Sequence, residues 1–254
     1  MRTVRLGMKI PARWRAFVCG LAFLAACVLA ASASASAWVP HLSLLFSAAL
    51  TPDPDAVLPA PTRFSYREIL TTTMLDVDAP LRTRLITRIP ADLADALAFY
   101  RTELGKRGWQ EQHDGAVVTA DRVHLAFASP LGPAMLQLDR TETGTSIHLV
   151  QRNRDAATKA RVMPEPGRAA LMFTNLGSKD VVFVLDNRAI TLPARVGNER
   201  PKAPLFNLPP GKYSYALKIE GRADRDTTID LVAGDAWDVT VGPDGELWSP
   251  LQLY

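Results

Sequence analysis

The chain has 254 residues, of which 48% are hydrophobic and 22% are charged, a balance typical of a folded globular protein rather than a disordered one. Its formal net charge of +3 comes from the N-terminus, because residues 1–37 carry five basic residues and no acidic residue. The rest of the chain is near neutral. This distribution argues against a nucleic-acid partner, since nucleic-acid-binding domains carry their basic residues on the folded part, where they neutralise phosphates.

Residues 1–37 have the layout of a secretory signal. Basic residues come first, an apolar run follows from Ala16 to Ala31, and the sequence SASASA then supplies small residues. Ala35 and Ala37 meet the small-residue rule for cleavage before Trp38. The basic region has no adjacent arginine pair, which argues against a twin-arginine signal. The sequence therefore predicts a signal peptide.

Two other interpretations of this segment stay open. The tetrapeptide LAAC at 24–27 resembles a bacterial lipobox, which would make Cys27 a lipidated first residue. The stretch from Ala16 to Val39 is also long enough to be retained as a membrane anchor. All three interpretations export the rest of the chain, so we expect a periplasmic protein or a membrane-anchored one facing the periplasm or the outside.

The only two cysteines, Cys19 and Cys27, both lie in this segment. After ordinary cleavage the mature chain would have none. A thiol nucleophile, a disulfide and a cysteine-ligated zinc would then be excluded.

Residues 38–62 are interpreted as a proline-rich linker, because TPDPDAVLPAPT at 51–62 holds four prolines in twelve residues. An α+β domain is predicted for residues 63–152, with one main helix on an antiparallel sheet. Its first strands are expected at 64–70 and 82–89.

A helix is predicted over residues 91–107. Leu93, Leu97, Tyr100 and Leu104 recur at helical spacing and share one face. Gly108 is expected to end the helix in a left-handed conformation. Trp109, the next residue, would then fold back and close the end of the core.

Three strand signals follow the helix. The first runs from 116 to 119 and continues through 123–127, the second covers 134–140, and the third covers 145–152. Apolar and polar residues alternate along them, which predicts a sheet with one covered and one wetter face. The helix is the natural cover.

Residues 153–166 are interpreted as a second linker, and residues 167–254 as an all-β sandwich. Short apolar runs separated by turn residues support a sandwich. The predicted strands are 169–174, 181–185, 189–192, 213–219, 227–232 and 237–241.

Two stretches resemble known modules. LADALAFYRTELGKRGW, followed by alternating strands, is similar to a helix-on-sheet module of exported bacterial proteins and lipoproteins of unknown function. NLPPGKYSYALKIEGRADRDTTIDLVAGDAWDVTVGPDG, at 207–245, resembles PEGA-type and related Ig-like or transthyretin-like β-sandwich domains of cell-envelope proteins. Both resemblances imply an envelope location and a scaffolding or binding role, and neither supplies catalytic residues.

Few residues suggest chemistry. His124 and His148 fall on the wetter face of predicted strands, with Asp139 and Ser146 nearby, and are weak candidates for a metal site beside the simpler interpretation of two solvent-facing histidines. No serine lies in a Gly-x-Ser-x-Gly elbow, and no glycine-rich phosphate loop is present. We therefore expect no enzyme, no cofactor and no catalytic residue.

Tyr213 and Tyr215 share one face of a predicted strand. They are candidates for a binding surface that stacks on a sugar or a peptide, although such residues also fill sandwich cores.

The sequence thus favours an exported cell-envelope protein with a non-catalytic interaction or scaffolding role, whose partner is another envelope protein or the membrane surface. The alternative is a periplasmic carrier of a small molecule, with a cavity behind Leu97, Tyr100 and Trp109. A hydrolase is a third possibility, for which the sequence offers no residues.

The fate of the N-terminus can be measured directly by intact mass and cell fractionation after expression in a bacterial host. We expect an exported species. A soluble periplasmic form should begin at Trp38, whereas a membrane form should begin at lipidated Cys27 or keep the whole N-terminus. Full-length protein in the cytoplasm would contradict all three interpretations.

Overall fold

A computed structural model of the protein describes residues 49–197, 203–218 and 225–254. The predicted signal peptide, its candidate cleavage residues Ala35, Ala37 and Trp38, and the lipidation candidate Cys27 lie outside the described residues. The described part of the chain is mostly β, with three sheets and two helices, and it belongs to one compact unit.

A six-stranded antiparallel sheet forms the first half of the described chain. Its order is β1-β2-β6-β5-β4-β3. Helix α1, Leu93–Lys106, follows β2 and carries the chain across one face of the sheet to the far edge, from which four strands return until β6 pairs with β2. The strands are β1 Tyr66–Thr72, β2 Arg82–Ile89, β3 Gln110–Val118, β4 Arg122–Ser129, β5 Gly132–Thr141 and β6 Gly144–Arg152.

Helix α1 lies within the predicted range 91–107 and ends at Gly108 as its sequence predicts. The carboxylate of Asp92 caps it by accepting a hydrogen bond from the backbone N–H of Asp95 at 2.8 Å. At the other end Gly108 has a φ of 77°, and the backbone N–H of Trp109 donates to the carbonyl of Leu104 at 3.0 Å. This is a Schellman stop. Trp109 is 7% exposed, and its ring centroid lies 6.2 Å from that of Phe127, so it closes the core as expected.

The buried face of α1 is wider than predicted. Leu93, Tyr100 and Leu104 are buried, but Leu97 is only partly buried, while Ala96 and Phe99 are buried beside them. The helix therefore packs on the sheet through a broad apolar stripe.

The sequence predicts one continued strand over residues 116–127, but the structure has two strands there. β3 begins at Gln110, directly after Trp109, and a turn connects it to β4. The cause lies in its position. Because β3 is an edge strand exposed along nearly its whole length, its sequence QEQHDGAVV carries no alternating apolar signal. The pairing of β3 with β4 also shifts register between Gln112 and Val117.

Residues 51–62, interpreted as an extended linker, fold back on themselves instead. Pro52 and Pro61 form an isolated bridge, and the N–H of Asp53 donates to the carbonyl of Ala60 at 2.8 Å. Leu58 and Ala60 are buried in the core between helix and sheet. The burial of these two side chains is one of the contacts that hold the segment on the domain.

Two four-stranded sheets form the second half and share one apolar core, in a sandwich-like arrangement. One has the order β10-β7-β13-β14 and the other β12-β11-β8-β9. The strands are β7 Ala169–Asn175, β8 Val181–Leu185, β9 Arg188–Leu192, β10 Leu205–Leu208, β11 Gly211–Lys218, β12 Arg225–Leu231, β13 Ala236–Val241 and β14 Leu251–Gln252. Strands β10 and β14, of four and two residues, were not predicted from the sequence.

Strand β7 is buried along its whole length, because both of its faces are covered. Leu171 and Phe173 face the core between the two small sheets. Ala170 and Met172 face a further apolar cluster, which contains Ala156 and other residues from both halves of the chain. This junction cluster consists of Val77, Leu81, Ala156, Ala157, Val162, Ala170, Met172, Ala236, Leu253 and Tyr254.

The segment 153–166, interpreted as a linker, supplies the centre of this junction cluster. It contains helix α2, Arg154–Ala160, which is capped by the side chain of Asn153 and buries Ala156 and Ala157. An ion pair between Arg152 and Asp235, 2.7 Å apart, lies beside it.

The turn between β5 and β6 allows a test of backbone packing. Gly144 has a φ of 141°, and a Cβ added there would lie 2.0 Å from the carbonyl oxygen of Ile89. We expect Gly144→Ala to destabilise the protein by several kcal/mol, on the order of 3 or more, because the neighbouring backbone must shift. The measurement is urea-induced unfolding.

Gly105 provides the matched control. It lies in the last turn of α1 with no atom within 4 Å of an added Cβ. Gly105→Ala should stabilise the protein by about 0.5–1 kcal/mol through helix propensity. Equal effects of the two substitutions would contradict the packing at Gly144.

Candidate functional site

The two histidines named as weak metal candidates share a face of the large sheet but do not meet. His124 on β4 and His148 on β6 are both opposite Gln137, which lies on the strand between them. Two strand spacings put their backbones roughly 10 Å apart. No group of three metal-ligating side chains occurs among residues 49–197, 203–218 and 225–254.

The surroundings of His148 suit an anion better than a cation. Its pKa lies below the ordinary value, because burial disfavours the charged ring and Arg84 and Arg82 repel the added proton, with a smaller opposing effect from Asp139. A metal ion would meet the same repulsion.

The candidate binding surface of Tyr213 and Tyr215 is part of the sandwich core. Tyr215 is 1% exposed, and burial raises the pKa of its hydroxyl. Tyr213 is half-buried, and its hydroxyl donates to the carbonyl of Pro209 at 2.8 Å. Tyr215 is therefore a core residue that no sugar or peptide can stack on.

The space behind α1, where a carrier would need a cavity, is occupied by side chains. Tyr100 and Leu104 are fully buried, Tyr100 packs edge-on against Phe99, and Trp109 packs against Phe127. An open cleft of about 480 Å³ lies elsewhere, between Leu50 and the outer side of α1.

The outer edge of β1 is the most distinctive surface of the large sheet. Strand β1 pairs with β2 in unbroken register from Tyr66 to Thr72, and no strand within the described residues pairs with its other side. Three apolar side chains on it are exposed: Tyr66 at 48%, Ile69 at 38% and Leu70 at 39%. The edge thus combines unpaired backbone groups with apolar side chains on both faces of the strand.

Arg67 fixes β1 to the folded-back segment 51–62. Its guanidinium pairs with Asp53 at 2.6 Å, donates to the carbonyl of Pro61, and lies 4.0 Å from the centroid of the Phe64 ring. The hydrogen bond from Arg67 lowers the pKa of Asp53. These contacts fix the position of β1 against segment 51–62.

Asp238 on β13 is a buried carboxyl group outside this edge. It is 8% exposed, one oxygen accepts from the hydroxyl of Thr240 at 2.8 Å, and the other has no partner among the described residues. Burial raises its pKa to about 6, and the hydrogen bond from Thr240 opposes this shift.

No helix in the described ranges is long and apolar enough to cross a membrane. Compared with known protein families and with curated protein sequences, the chain matches neither a family model nor a curated sequence.

Sequence reasoning overlooked the β1 edge and the arginines around His148. The edge leaves no mark in one sequence, because it depends on strand order. Arg82 and Arg84 did leave a signal: they alternate with inward-facing residues along a strand whose bounds, 82–89, were predicted correctly.

Asp238 predicts a pH dependence of folding stability. Its folded pKa is raised above the unfolded value of 3.8, so its contribution to stability is fully present below pH 4 and is lost as pH rises through 6. We expect Asp238→Asn to gain stability relative to the wild type by up to about 3 kcal/mol as pH rises from 4 to 7.5. Urea-induced unfolding at several pH values measures this difference.

Asp230→Asn, which removes an exposed carboxylate on β12, is the control for loss of one negative charge. A stability difference between wild type and Asp238→Asn that is the same at pH 4 and pH 7.5 would contradict the buried state of Asp238.

Proposed function

We propose that the protein is an exported component of the bacterial cell envelope with a non-catalytic scaffolding role, and that it binds an extended segment of another envelope protein along the edge of β1. The observation that carries this proposal is the regular edge of that strand, which no strand among the described residues pairs with and which exposes three apolar side chains.

Free strand edges attract other strands, so proteins commonly blunt them with lysine, proline, bulges or short length. The other edges among the described residues have such features. The pairing of β3 shifts register, and β10 and β14 are short. The exposed residues Thr228 and Asp230 of β12 are polar, and β9 has only five residues and begins with the exposed Arg188. Strand β1 contains neither lysine nor proline over its seven residues, and its two charged side chains, Arg67 and Glu68, are engaged by Asp53 and Tyr66.

The side chains of β1 define the partner. An added strand would form backbone hydrogen bonds along the edge and place alternate side chains on the two faces of the sheet. Tyr66 and Leu70 offer apolar contact on one face, and Ile69 offers it on the other. A segment with apolar residues on both faces near its centre therefore fits.

We also propose that the chain consists of an α+β domain at 63–152 and a β-sandwich at 167–254, the latter of the PEGA-type, Ig-like or transthyretin-like kind. The helix on a six-stranded sheet and the shared core of the two small sheets support this division. The sequence resemblances of both parts to envelope modules, and the secretory layout of residues 1–37, support the location.

The alternative of a small-molecule carrier is less well supported. Its expected cavity lies where Tyr100, Leu104 and Trp109 pack against their neighbours. The scaffold accounts for the β1 edge, whereas a carrier leaves that edge without a role.

Photo-crosslinking in the bacterial envelope tests the proposal. A photoreactive residue in place of Tyr66 should give an adduct of one discrete mass, whereas the same probe at Thr228 on the edge of β12 should not. Adding Leu70→Lys to the probe at Tyr66 should abolish the adduct, because a charge on the edge opposes strand addition.

Leu75→Lys is the matched control, since Leu75 is an exposed apolar residue just beyond β1. It should leave the adduct unchanged. Equal adducts from the probes at Tyr66 and Thr228, or equal loss with Leu70→Lys and Leu75→Lys, would overturn the proposal.

A further inference from the structure

We propose that Arg82 and Arg84, together with His148, form a binding site for a phosphate group on the face of the six-stranded sheet opposite α1. This inference rests on different residues from the β1 edge and does not depend on the proposed scaffolding role.

The strand register brings these residues together. Along β2, Leu85 and Ile89 point into the core beneath α1, so Arg82 and Arg84 point to the opposite face. Arg84 is opposite Val150 on β6, and His148 is opposite Ile86, which makes Arg84 and His148 diagonal neighbours. Diagonal neighbours lie within reach of long side chains.

Neither arginine has a partner among the described residues. The structure shows no ion pair and no side-chain hydrogen bond for Arg82 or Arg84 there, and the Nε atom of each is buried without an acceptor. Both side chains are nevertheless half-buried. Partial burial of two guanidinium groups that have no anionic partner lowers the stability of the folded state unless a further group pairs with them.

The acidic groups nearby are engaged elsewhere. Asp235 pairs with Arg152 at 2.7 Å, Glu68 accepts from the hydroxyl of Tyr66 at 2.6 Å, and Asp139 pairs with Arg122 at 2.8 Å. Each carboxylate therefore has a nearer donor than the two arginines.

The electrostatic strain shows in two groups. Burial, followed by repulsion from Arg84 and Arg152, lowers the pKa of Arg82 to about 10, although Asp235 opposes the shift. The pKa of His148 is lowered by the same kinds of cause. An anion placed among these groups would reverse the repulsion and gain the interaction energy.

The donors suit a phosphate group. Guanidinium groups donate in pairs to phosphate oxygens, and a neutral imidazole donates one N–H. Arg82 and Arg84 are two residues apart, roughly 7 Å along β2, while His148 approaches from the next strand. Donors from several directions match a tetrahedral anion better than a planar carboxylate. Val150, only 4% exposed, gives the arginine stems an apolar surface to lie on.

Calorimetric titration of the full chain with sodium phosphate, against sodium chloride of equal ionic strength, tests the site. The wild type should bind phosphate with defined stoichiometry. Arg84→Gln and Arg82→Gln should each raise the dissociation constant for phosphate tenfold or more, because each removes a charge-assisted hydrogen-bonding group. Arg88→Gln is the matched control, because Arg88 lies on the same strand and face but is exposed.

Two further measurements separate binding from folding defects. Without phosphate, Arg82→Gln and Arg84→Gln should be at least as stable to urea as the wild type, since each removes an unneutralised charge. In the NMR spectrum, phosphate should raise the pKa of His148 in the wild type but not in Arg84→Gln.

A phosphate affinity unchanged in Arg82→Gln and Arg84→Gln would overturn the inference, as would equal weakening in Arg88→Gln, which would indicate general charge screening. Vesicles of phosphatidylcholine with phosphatidic acid distinguish two sources of the same group. Vesicle binding that free phosphate competes away indicates a lipid headgroup, and binding of free phosphate alone indicates a soluble phosphorylated ligand.

Discussion

The burial of β7 on both faces is the constraint on which the rest of the structure depends. Its parallel pairing with β13 forms the centre of one small sheet, and such pairs occur where both faces are covered. One cover is the other small sheet. The second is the junction cluster, to which α2, Leu81 and the C-terminal residues Leu253 and Tyr254 contribute. The six-stranded sheet is thereby tied to the rest of the described chain through an apolar core rather than through a flexible connection.

The same junction determines the electrostatics of the large sheet. Arg152 ends β6 at the place where the two halves meet, and Asp235 and the ring of Tyr254 receive its guanidinium. Arg82 lies directly opposite Arg152 in register, and like charges in that position repel. Asp235 forms its ion pair with Arg152, and its more distant attraction offsets only part of the repulsion at Arg82. Arg82 and Arg84 keep their charges at the border of the junction, so the positive character of this face is a consequence of how the two halves join.

Much of the fold was predictable from the sequence because it is encoded locally. The helical spacing of Leu93, Tyr100 and Leu104, the left-handed Gly108 and the alternation along β4, β5 and β6 each act over a few residues, and each appears as expected. The predictions that were wrong concern segments whose structure depends on contacts with residues distant in the sequence. The polar edge strand β3 takes its structure from β4, and residues 51–62 take theirs from the core that Leu58 and Ala60 enter. The short helix α2 has only three alanines in a polar stretch as its apolar residues, although two of them, Ala156 and Ala157, are buried in the junction cluster.

The candidate sites show the same division between local patterns, which the sequence predicts, and distant contacts, which it does not. The alternation correctly predicted that His124 and His148 share one face. The intervening β5 keeps them apart, however, and strand order cannot be predicted from a single sequence. Tyr213 and Tyr215 were correctly placed on one face, and only the second sheet decides that this face is a core. From the sequence alone, Arg82 and Arg84 resemble ordinary solvent-facing charges. Only the structure shows that the nearby carboxylates are paired with other residues.

The β1 edge and the arginine site lie on adjacent strands, and this places a condition on any partner. Leu70 on β1 is directly opposite Arg84 on β2. A strand added outside β1 would put its nearest side chain roughly 10 Å from the backbone of Arg84, on the same face of the sheet. That distance is slightly more than the Debye length of about 8 Å in physiological salt, so salt weakens the effect of Arg84 on the added strand but, because Arg84 is half-buried, does not remove it. An acidic residue of the partner at this register would therefore be favoured and a basic one disfavoured. Phosphate bound at Arg84 would neutralise the arginine and so reduce this preference for an acidic residue. The two surfaces are thus distinct in their residues but linked through one charge.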